Sequence, residues 1–391
     1  MLRVFVVLAC TLLLLSLTSL FANDEAWTLI SSRNGDLEPP NGGDQQTCLV
    51  VADFDNDGLL DFAVGERTKT PSVVWYQSTK QGWRRRVIEP SPLKPEAGGV
   101  AADVDKDGDV DLILGHDYSG NEICWWENPC PEFDKPWVRR AIKASGPRKH
   151  HDQTFGDFDG DGRPELVSWN QGGKQLLMFP LPDHPKELKE WPSKTIFTWK
   201  QGQEYEGFPN TPVDIDGDGT LDIVGGGCWF KYRGNGQFEP QVIDPTMRFT
   251  QCAAGQLIPG GFGEVVFSPG DADGEAKWYQ WTGKKWEAHV LGSVIHGHTC
   301  EIGDINLDGH LDILIGEMGS PGAGDRARII VWYGDGRGNF EQKVIRQGQG
   351  IHEGRLADLD GDGDLDVIVK PYHHNAPLVE ILLNPIRSKG E

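Results

Sequence analysis

The chain has 391 residues and a formal net charge of −22, enough for one large domain or two ordinary ones. So acidic a chain excludes nucleic acid as a partner, because phosphates need a basic face. With 38% hydrophobic residues, 14 Trp and 16 Phe, it has the apolar surface to build a packed fold, which excludes wholesale disorder.

The first segment stands apart. Arg3 precedes an apolar run from Val4 to Leu20, and "FAND" then opens a polar sequence. The pattern reads as a secretory signal over residues 1–22, with an uncleaved anchor as the alternative because Leu20 is a poor residue three places before a cut after Ala22. "VLAC", ending at Cys10, faintly resembles a lipoprotein site, but too little apolar sequence precedes it. No later stretch is long and apolar enough to span a bilayer. The expectation is a secreted, periplasmic or cell-surface protein folded over residues 23–391, in contact with a membrane only if the first segment stays attached.

From residue 26 onwards short strand signals dominate. "AWTLIS" comes first and has the look of a closing strand with nothing yet to close. Then "CLVVAD" runs into the acidic loop "DFDNDGLLD", "LDFAVG" leaves it, "SVVWYQ" follows and "WRRRVIE" ends the unit. The second unit gives "GGVAAD", "VDLILG", "EICWWEN" and "WVRRAIK" around "DVDKDGDVD". Beta-branched and aromatic runs between Gly, Pro and Asn are strands. Further acidic loops are "DFDGDGRPE", "DIDGDGTLD", "DINLDGHLD" and "DLDGDGDLD". Their first aspartates (Asp53, Asp103, Asp157, Asp214, Asp304 and Asp358) lie 50, 54, 57, 90 and 54 residues apart. The long interval hides a fifth unit, "GQLIPGGFGEVVFSPGD", with Gln256 at the first position, Gly261 at the sixth and Glu264 at the ninth. Seven repeats of this size predict an all-β, seven-bladed propeller of four-stranded blades. The last unit has only three strands, ending at "LVEILLN", so "AWTLIS" is expected to complete it and close the ring.

Carboxylates at positions 1, 3, 5 and 9, with Gly at 6 for a sharp turn and a carbonyl at 7, describe an oxygen cage for calcium. The ligand sets are Asp53, Asp55, Asp57 and Asp61; Asp103, Asp105, Asp107 and Asp111; Asp157, Asp159, Asp161 and Glu165; Asp214, Asp216, Asp218 and Asp222; Asp304, Asn306, Asp308 and Asp312; Asp358, Asp360, Asp362 and Asp366. They hold 23 carboxylates, and about six structural calcium ions would offset their repulsion. An EF-hand, which needs flanking helices and a Glu at position 12, does not fit. The loop resembles the motif of FG-GAP/VCBS repeat proteins, over about residues 27 to 384, with the fifth unit departing by its lost carboxylates. The resemblance implies a calcium-bearing propeller shared by integrin heads, bacterial surface proteins and several sugar-active enzymes, and it leaves function open.

The opposite face carries the chemistry. Six residues before their loop origins stand His151, His298 and His352, with His150, Asp152, His296 and Glu353 beside them. Thirteen residues after stand Glu66, His116, Asn170 and Glu317, near Arg67, Asp117, Tyr118, Lys370, Tyr372, His373 and His374. Eight of the 11 histidines fall at this end. Imidazoles with carboxylates suit zinc, another divalent metal, or proton transfer near neutral pH. The strings "HHDQTFGDFDGDG", "HGHTCEIGDINLDGH" and "IHEGRLADLDGDG" resemble the propellers of aldos-2-ulose dehydratases and rhamnose-glucuronate lyases. That resemblance implies elimination from an acidic or oxidised sugar. The expected roles are a metal on His151, His298 and His352, His116 or His150 as base, Tyr118 or Tyr372 as acid, and Arg355 or Lys370 as carboxylate partner. The rival expectation is a propeller that binds a glycan or protein and turns nothing over. Glycoside hydrolysis ranks third, as no carboxylate pair stands out.

Other features read as structural. The Trp residues of third and fourth strands (Trp75, Trp125, Trp126, Trp278, Trp332, with Trp83, Trp137 and Trp286) should pack between blades, and Arg84 to Arg86 should line a solvated outer edge. Without Cys10, six cysteines remain. Cys124 and Cys130 could pair locally. Cys252 and Cys300, each four residues before its loop origin, are expected to pair across blades five and six if oxidised.

Overall fold

The computed structural model describes residues 26–386, and the signal segment lies outside them. Each repeat folds as one antiparallel sheet in chain order, as in blade one: Gln46–Ala52, Asp61–Glu66, Val73–Thr79 and Gly82–Glu89. The first two strands are buried almost throughout, whereas the outermost alternates as a strand with one solvated side does. There are seven such sheets. Thr28–Ser31 pairs antiparallel with Glu380–Leu383, Thr28 facing Leu383 and Ser31 facing Glu380, so the N-terminal strand completes blade seven.

Blade four departs from the expected four strands. It keeps Ile223–Gly225, Cys228–Tyr232 and Phe238–Val242, but its innermost position is reduced to a single bridge between Val213 and Asp222. Pro209 and Pro212 interrupt this stretch, and a prolyl nitrogen has no proton to give a central ladder.

One apolar cluster fills each space between neighbouring blades. Between blades one and two it contains Phe54, Trp75, Leu112, Trp126 and Trp137; across the ring closure, Phe62, Tyr76, Ile368 and Ile381. Trp75, Trp125, Trp126, Trp278 and Trp332 are all buried, as expected of wedges between sheets. Asn128 adds a polar clasp, donating through Nδ2 to Phe54 O (2.8 Å) in the preceding blade and to Val110 O (2.9 Å) in its own. Asn384 does the same from blade seven to Ile305 O of blade six (2.8 Å).

The six described cysteines are free thiols, which corrects both expected pairs. Cys252 packs with Ile215 and Trp229 between blades four and five, and Cys300 with Ala253 and Trp278 between blades five and six. They therefore lie on opposite sides of the blade-five sheet. Cys124 is buried among Trp75 and Trp126, while Cys130 sits beside Asp55 O of the first acidic loop. Among the described residues no helix is long and apolar enough to cross a membrane.

Candidate functional site

In every blade but the fifth an acidic loop follows the inner-strand position, and the inner strands open at their N-terminal ends on the opposite face. The pairing of His151 with Trp169 at one end of blade three, and of Gly156 with Glu165 at the other, shows the separation.

The acidic loops share one design. In the first, Asp53 accepts the N–H groups of Asp57 (3.1 Å) and Gly58 (2.9 Å). Gly58 has φ +92 and Gly309 φ +90, a left-handed conformation that favours glycine at the sixth position. Carboxylate oxygens lie within 4.8 Å of one another in five groups: Asp53, Asp55 and Asp57; Asp103, Asp105 and Asp107; Asp157, Asp159 and Glu165; Asp214, Asp216 and Asp218; Asp358, Asp360 and Asp366. Asp105 Oδ1, Asp159 Oδ1 and Asp216 Oδ1 are buried without a hydrogen-bond partner. Unpartnered anionic oxygens converging on one point fit a hard cation, so the loops suit calcium.

The ninth position turns out to have a second role. Asp61 accepts the N–H groups of Phe54 (3.2 Å) and Ser78 (2.6 Å), and Asp111 those of Val104 (3.0 Å) and Asn128 (2.8 Å). These two lie outside their loop clusters and lock loop to sheet. In blade five, Gln256 Nε2 donates to Ile258 O (2.8 Å), Gly260 O (3.2 Å) and Phe262 O (3.4 Å). An amide there ties the loop carbonyls together without any carboxylate at the first position.

At the other end a cavity of about 460 Å³ opens over the axis, lined from every blade except the fourth: Thr47 and Arg67, Glu96 and Tyr118, Lys149 and His151, Phe249 and Asp271, His298, Met318 and Pro321, His352 and Tyr372. His298 and His352 stack with ring centroids 4.3 Å apart, and Tyr372 stacks on His352 at 5.0 Å. His298 Nδ1 donates to His352 O (2.8 Å), so in the neutral ring Nε2 carries the lone pair. His352 Nδ1 faces the ammonium of Lys370 (3.3 Å), which leaves its Nε2 as the N–H donor. Burial first, then the neighbouring His298 and Lys370, hold His352 well below its ordinary pKa, hence neutral. Two stacked imidazoles thus present opposite tautomers, one accepting and one donating.

Arg67 is the cation across from them. It donates to Gln45 Oε1 (2.8 Å) and to the Tyr372 hydroxyl, and pairs with Glu96 (3.2 Å). His151 is held by Asp152 at Nδ1 (2.8 Å), with Glu206 (3.5 Å) and Glu96 (3.6 Å) facing Nε2. Burial alone would press His151 down, but Asp152, Glu206 and Glu96 lift it to about 10. Asp152 sits in a bulge of the inner strand with φ +44, backbone strain at a site where a side chain is re-aimed.

His151, His298, His352, Tyr118 and Tyr372 therefore share one cavity as the sequence suggested. The three histidines are not among the groups whose ligand atoms gather within 4.8 Å, and His298 and His352 are engaged in stacking, so the trio fits a shared zinc ion poorly. His150 is sealed at 0% exposure against Asn170, because alternation along a strand sends adjacent residues to opposite sides. His116 turns to Asp117 (3.4 Å) and does not line the cavity. Lys370 lies beneath His352, fully buried. Arg355 belongs to a small axial chamber with Glu301, Glu353 and Asp152. Glu66 and Glu317 bind neighbouring backbone and Arg328. Sequence reasoning missed Glu96, Lys149, Glu206 and Asp271. Lys149 beside His150 was a readable signal; Glu206 lies in the proline-interrupted stretch of blade four, where the repeat gives no register.

Residues 53–114 and 103–168 match the FG-GAP-like repeat. Mouse (Mus musculus) integrin alpha-8 is 26% identical over 218 residues, 54% of this chain and 18% of the integrin. Integrin alpha pat-2 of Caenorhabditis elegans is 27% identical over 252 residues, 59% and 18%. The likeness thus spans less than a fifth of either integrin. The solved rhamnogalacturonan lyase YesW superposes with TM-score 0.52 at 14% identity, covering 91% of this chain and 76% of that one. The exotype rhamnogalacturonan lyase YesX gives 0.51 at 14%, covering 89% and 75%, and BBS1N, solved in complex with ARL6DN, gives 0.52 at 12%, covering 88% and 94%. At these identities the structural likeness shows the fold alone.

Proposed function

For a seven-bladed propeller carrying FG-GAP-like repeats, we propose that the axial cavity binds an acidic or oxidised sugar and eliminates across its ring, on an exported, calcium-stabilised scaffold. The observation that supports this most is the stacked His298–His352 pair with opposed tautomers, facing a cavity that also presents Arg67 and Lys149. Elimination needs a base and a hydrogen donor side by side, and a cation for the substrate's carboxylate. In this reading His298 Nε2 takes the proton next to the carboxylate. The electron pair forms a carbon–carbon double bond as the bond to the leaving oxygen breaks, and that oxygen takes a proton from the Tyr118 hydroxyl, or from His352 Nε2 as the Lys370 ammonium passes a proton to His352 Nδ1. Arg67 and Lys149 hold the carboxylate. The structural likeness to two rhamnogalacturonan lyases is consistent with this and carries no more than the fold.

A second reading, a glycan- or protein-binding propeller without turnover, draws on the integrin relatives and on Tyr118, a 65% exposed aromatic at the cavity rim. A panel of uronate-containing oligosaccharides separates the two. Turnover raises ultraviolet absorbance through the new conjugated double bond. His298→Ala should remove that signal while leaving the calcium-dependent melting transition in place. Saturable binding across the panel with no absorbance change in the wild type would select the second reading.

A further inference from the structure

We propose that the acidic loops fall into two classes of calcium affinity, and that the loops of blades two and four form the weaker class. The class is set by a side chain outside the loop that touches the aspartate at its third position. The proposal rests on the calcium reading of the loops and is independent of the elimination reading. The contact recurs around the ring. In blade one Gln77 Nε2 donates to Asp55 Oδ2. In blade four Lys231 Nζ donates to Asp216 Oδ2, and to Asp218 Oδ2 at 3.0 Å. Lys186, from the short helical turn Pro185–Glu187, places Nζ 2.5 Å from Asp105 Oδ2 of the second loop and 2.7 Å from Glu127 Oε1. Lys194 stands more loosely by Asp159 Oδ2 of the third loop, at 4.0 Å.

Gln77 and Lys231 hold equivalent places. Tyr76 pairs with Phe62 and Phe230 with Ile223, the residues just after the ninth position, and Gln77 and Lys231 come next in their third strands. Both side chains orient the third aspartate through its Oδ2. Asp216 Oδ1 and Asp105 Oδ1 remain buried without a partner, as an oxygen turned towards an ion would be. What differs is charge. A carboxylate shared with an ammonium attracts calcium less, and the ammonium repels a doubly charged ion beside it. The lysine also relieves repulsion among the carboxylates of the empty loop, stabilising the state that binding must leave. Both effects weaken binding, and an amide supplies neither. The side chains of Asp216 and Asp105 are only 10% and 2% exposed, so solvent screens these charges little. Falling calcium should therefore empty the second and fourth loops while the first stays filled. Blade four, whose innermost position is a single bridge, is then among the first to loosen.

The test exchanges the two side chains. Full-length protein is freed of calcium below its metal-free melting transition and titrated with calcium at free concentrations set by a chelator buffer. The wild-type isotherm should show two classes of site about 10-fold or more apart. Lys231→Gln should tighten one site about 10-fold, and Gln77→Lys should weaken one by about as much. Hydrogen exchange locates them. At free calcium between the two classes, residues 103–111 and 214–222 should exchange faster while 53–61 stay protected, and Gln77→Lys should move 53–61 into the fast set. Melting in saturating calcium reports that each variant has folded, and the wild-type exchange pattern stands as the test if a variant has not. Calcium binding indifferent to both exchanges overturns the proposal alone, as does opening of the first loop before the second and fourth. Absence of any bound calcium overturns the calcium reading and the proposal together.

Discussion

Replacing Lys370 by Met removes a buried ammonium while keeping most of its stem. The ammonium donates to Gln46 O (2.8 Å) and Thr47 O (3.1 Å) of blade one and faces His352 Nδ1 (3.3 Å), joining the last blade to the first beneath the stacked pair. Burial, opposed by Glu353 and Cys48 and reinforced by Arg355 and Arg67, lowers its pKa from 10.5 to about 8. The folded protein thus sheds this proton more readily than the unfolded chain. Its stability rises as pH climbs from about 8 towards 10.5, and the gain is lost as pH falls back through 8. By about pH 10 the gain is about 2–3 kcal/mol; at about pH 7 it is close to nothing. Met cannot titrate, so between these pH values the stability difference between wild type and Lys370→Met should move by about 2–3 kcal/mol in the wild type's favour. Urea unfolding followed by Trp fluorescence, in calcium-saturated buffer, measures it. Taking the change with pH cancels the fixed cost of the two carbonyls left without a donor. With Nδ1 freed, His352 can also swap tautomers, so turnover should fall by about 10²-fold. A stability difference flat across this pH range would refute the placement of a charged Lys370 in a dry site.

Chelation by EGTA should lower the melting temperature by many degrees and added calcium should restore it, since each site occupied at 100-fold its Kd contributes about 2.7 kcal/mol. An unchanged melting curve in metal-free protein would contradict the calcium role. Asn128→Ala strips the donor from Phe54 O and Val110 O and should cost about 2–4 kcal/mol in chemical denaturation, whereas an effect below about 0.5 kcal/mol would show the clasp to be ornamental. Thiol titration of the denatured protein, without reductant, should recover the six described cysteines as free; a shortfall of two would restore a disulfide.

The propeller was legible because its loops advertise themselves. Asp at positions 1, 3 and 5 with Gly at 6 fixes a turn, and the turn fixes the strands on either side, so seven blades and the closing strand could be placed by counting. Even the altered fifth loop kept Gly261 and Glu264. What counting could not supply was direction. His150 and His151 look equivalent as letters, yet one seals against Asn170 and the other enters the cavity. Alternation along the strand sends the two to opposite sides, and the bulge that follows at Asp152 leaves no repeat signature. Glu206 was invisible for a related reason, since it comes from the one blade whose inner strand proline has broken. The cysteines misled because equal height along neighbouring strands says nothing about which side of the sheet a thiol occupies.

The pairing of Thr28 with Leu383 and Ser31 with Glu380 has a mechanical consequence. Because the two strands run antiparallel, residues 27 and 384 leave the ring side by side. A force pulling these ends apart therefore loads the backbone bonds one after another, peeling the seam from its outer end, rather than straining all of them together in shear. The seam is thus weak against tension between its own ends. Anything attached to both ends would have to share one anchoring point to leave the circle intact.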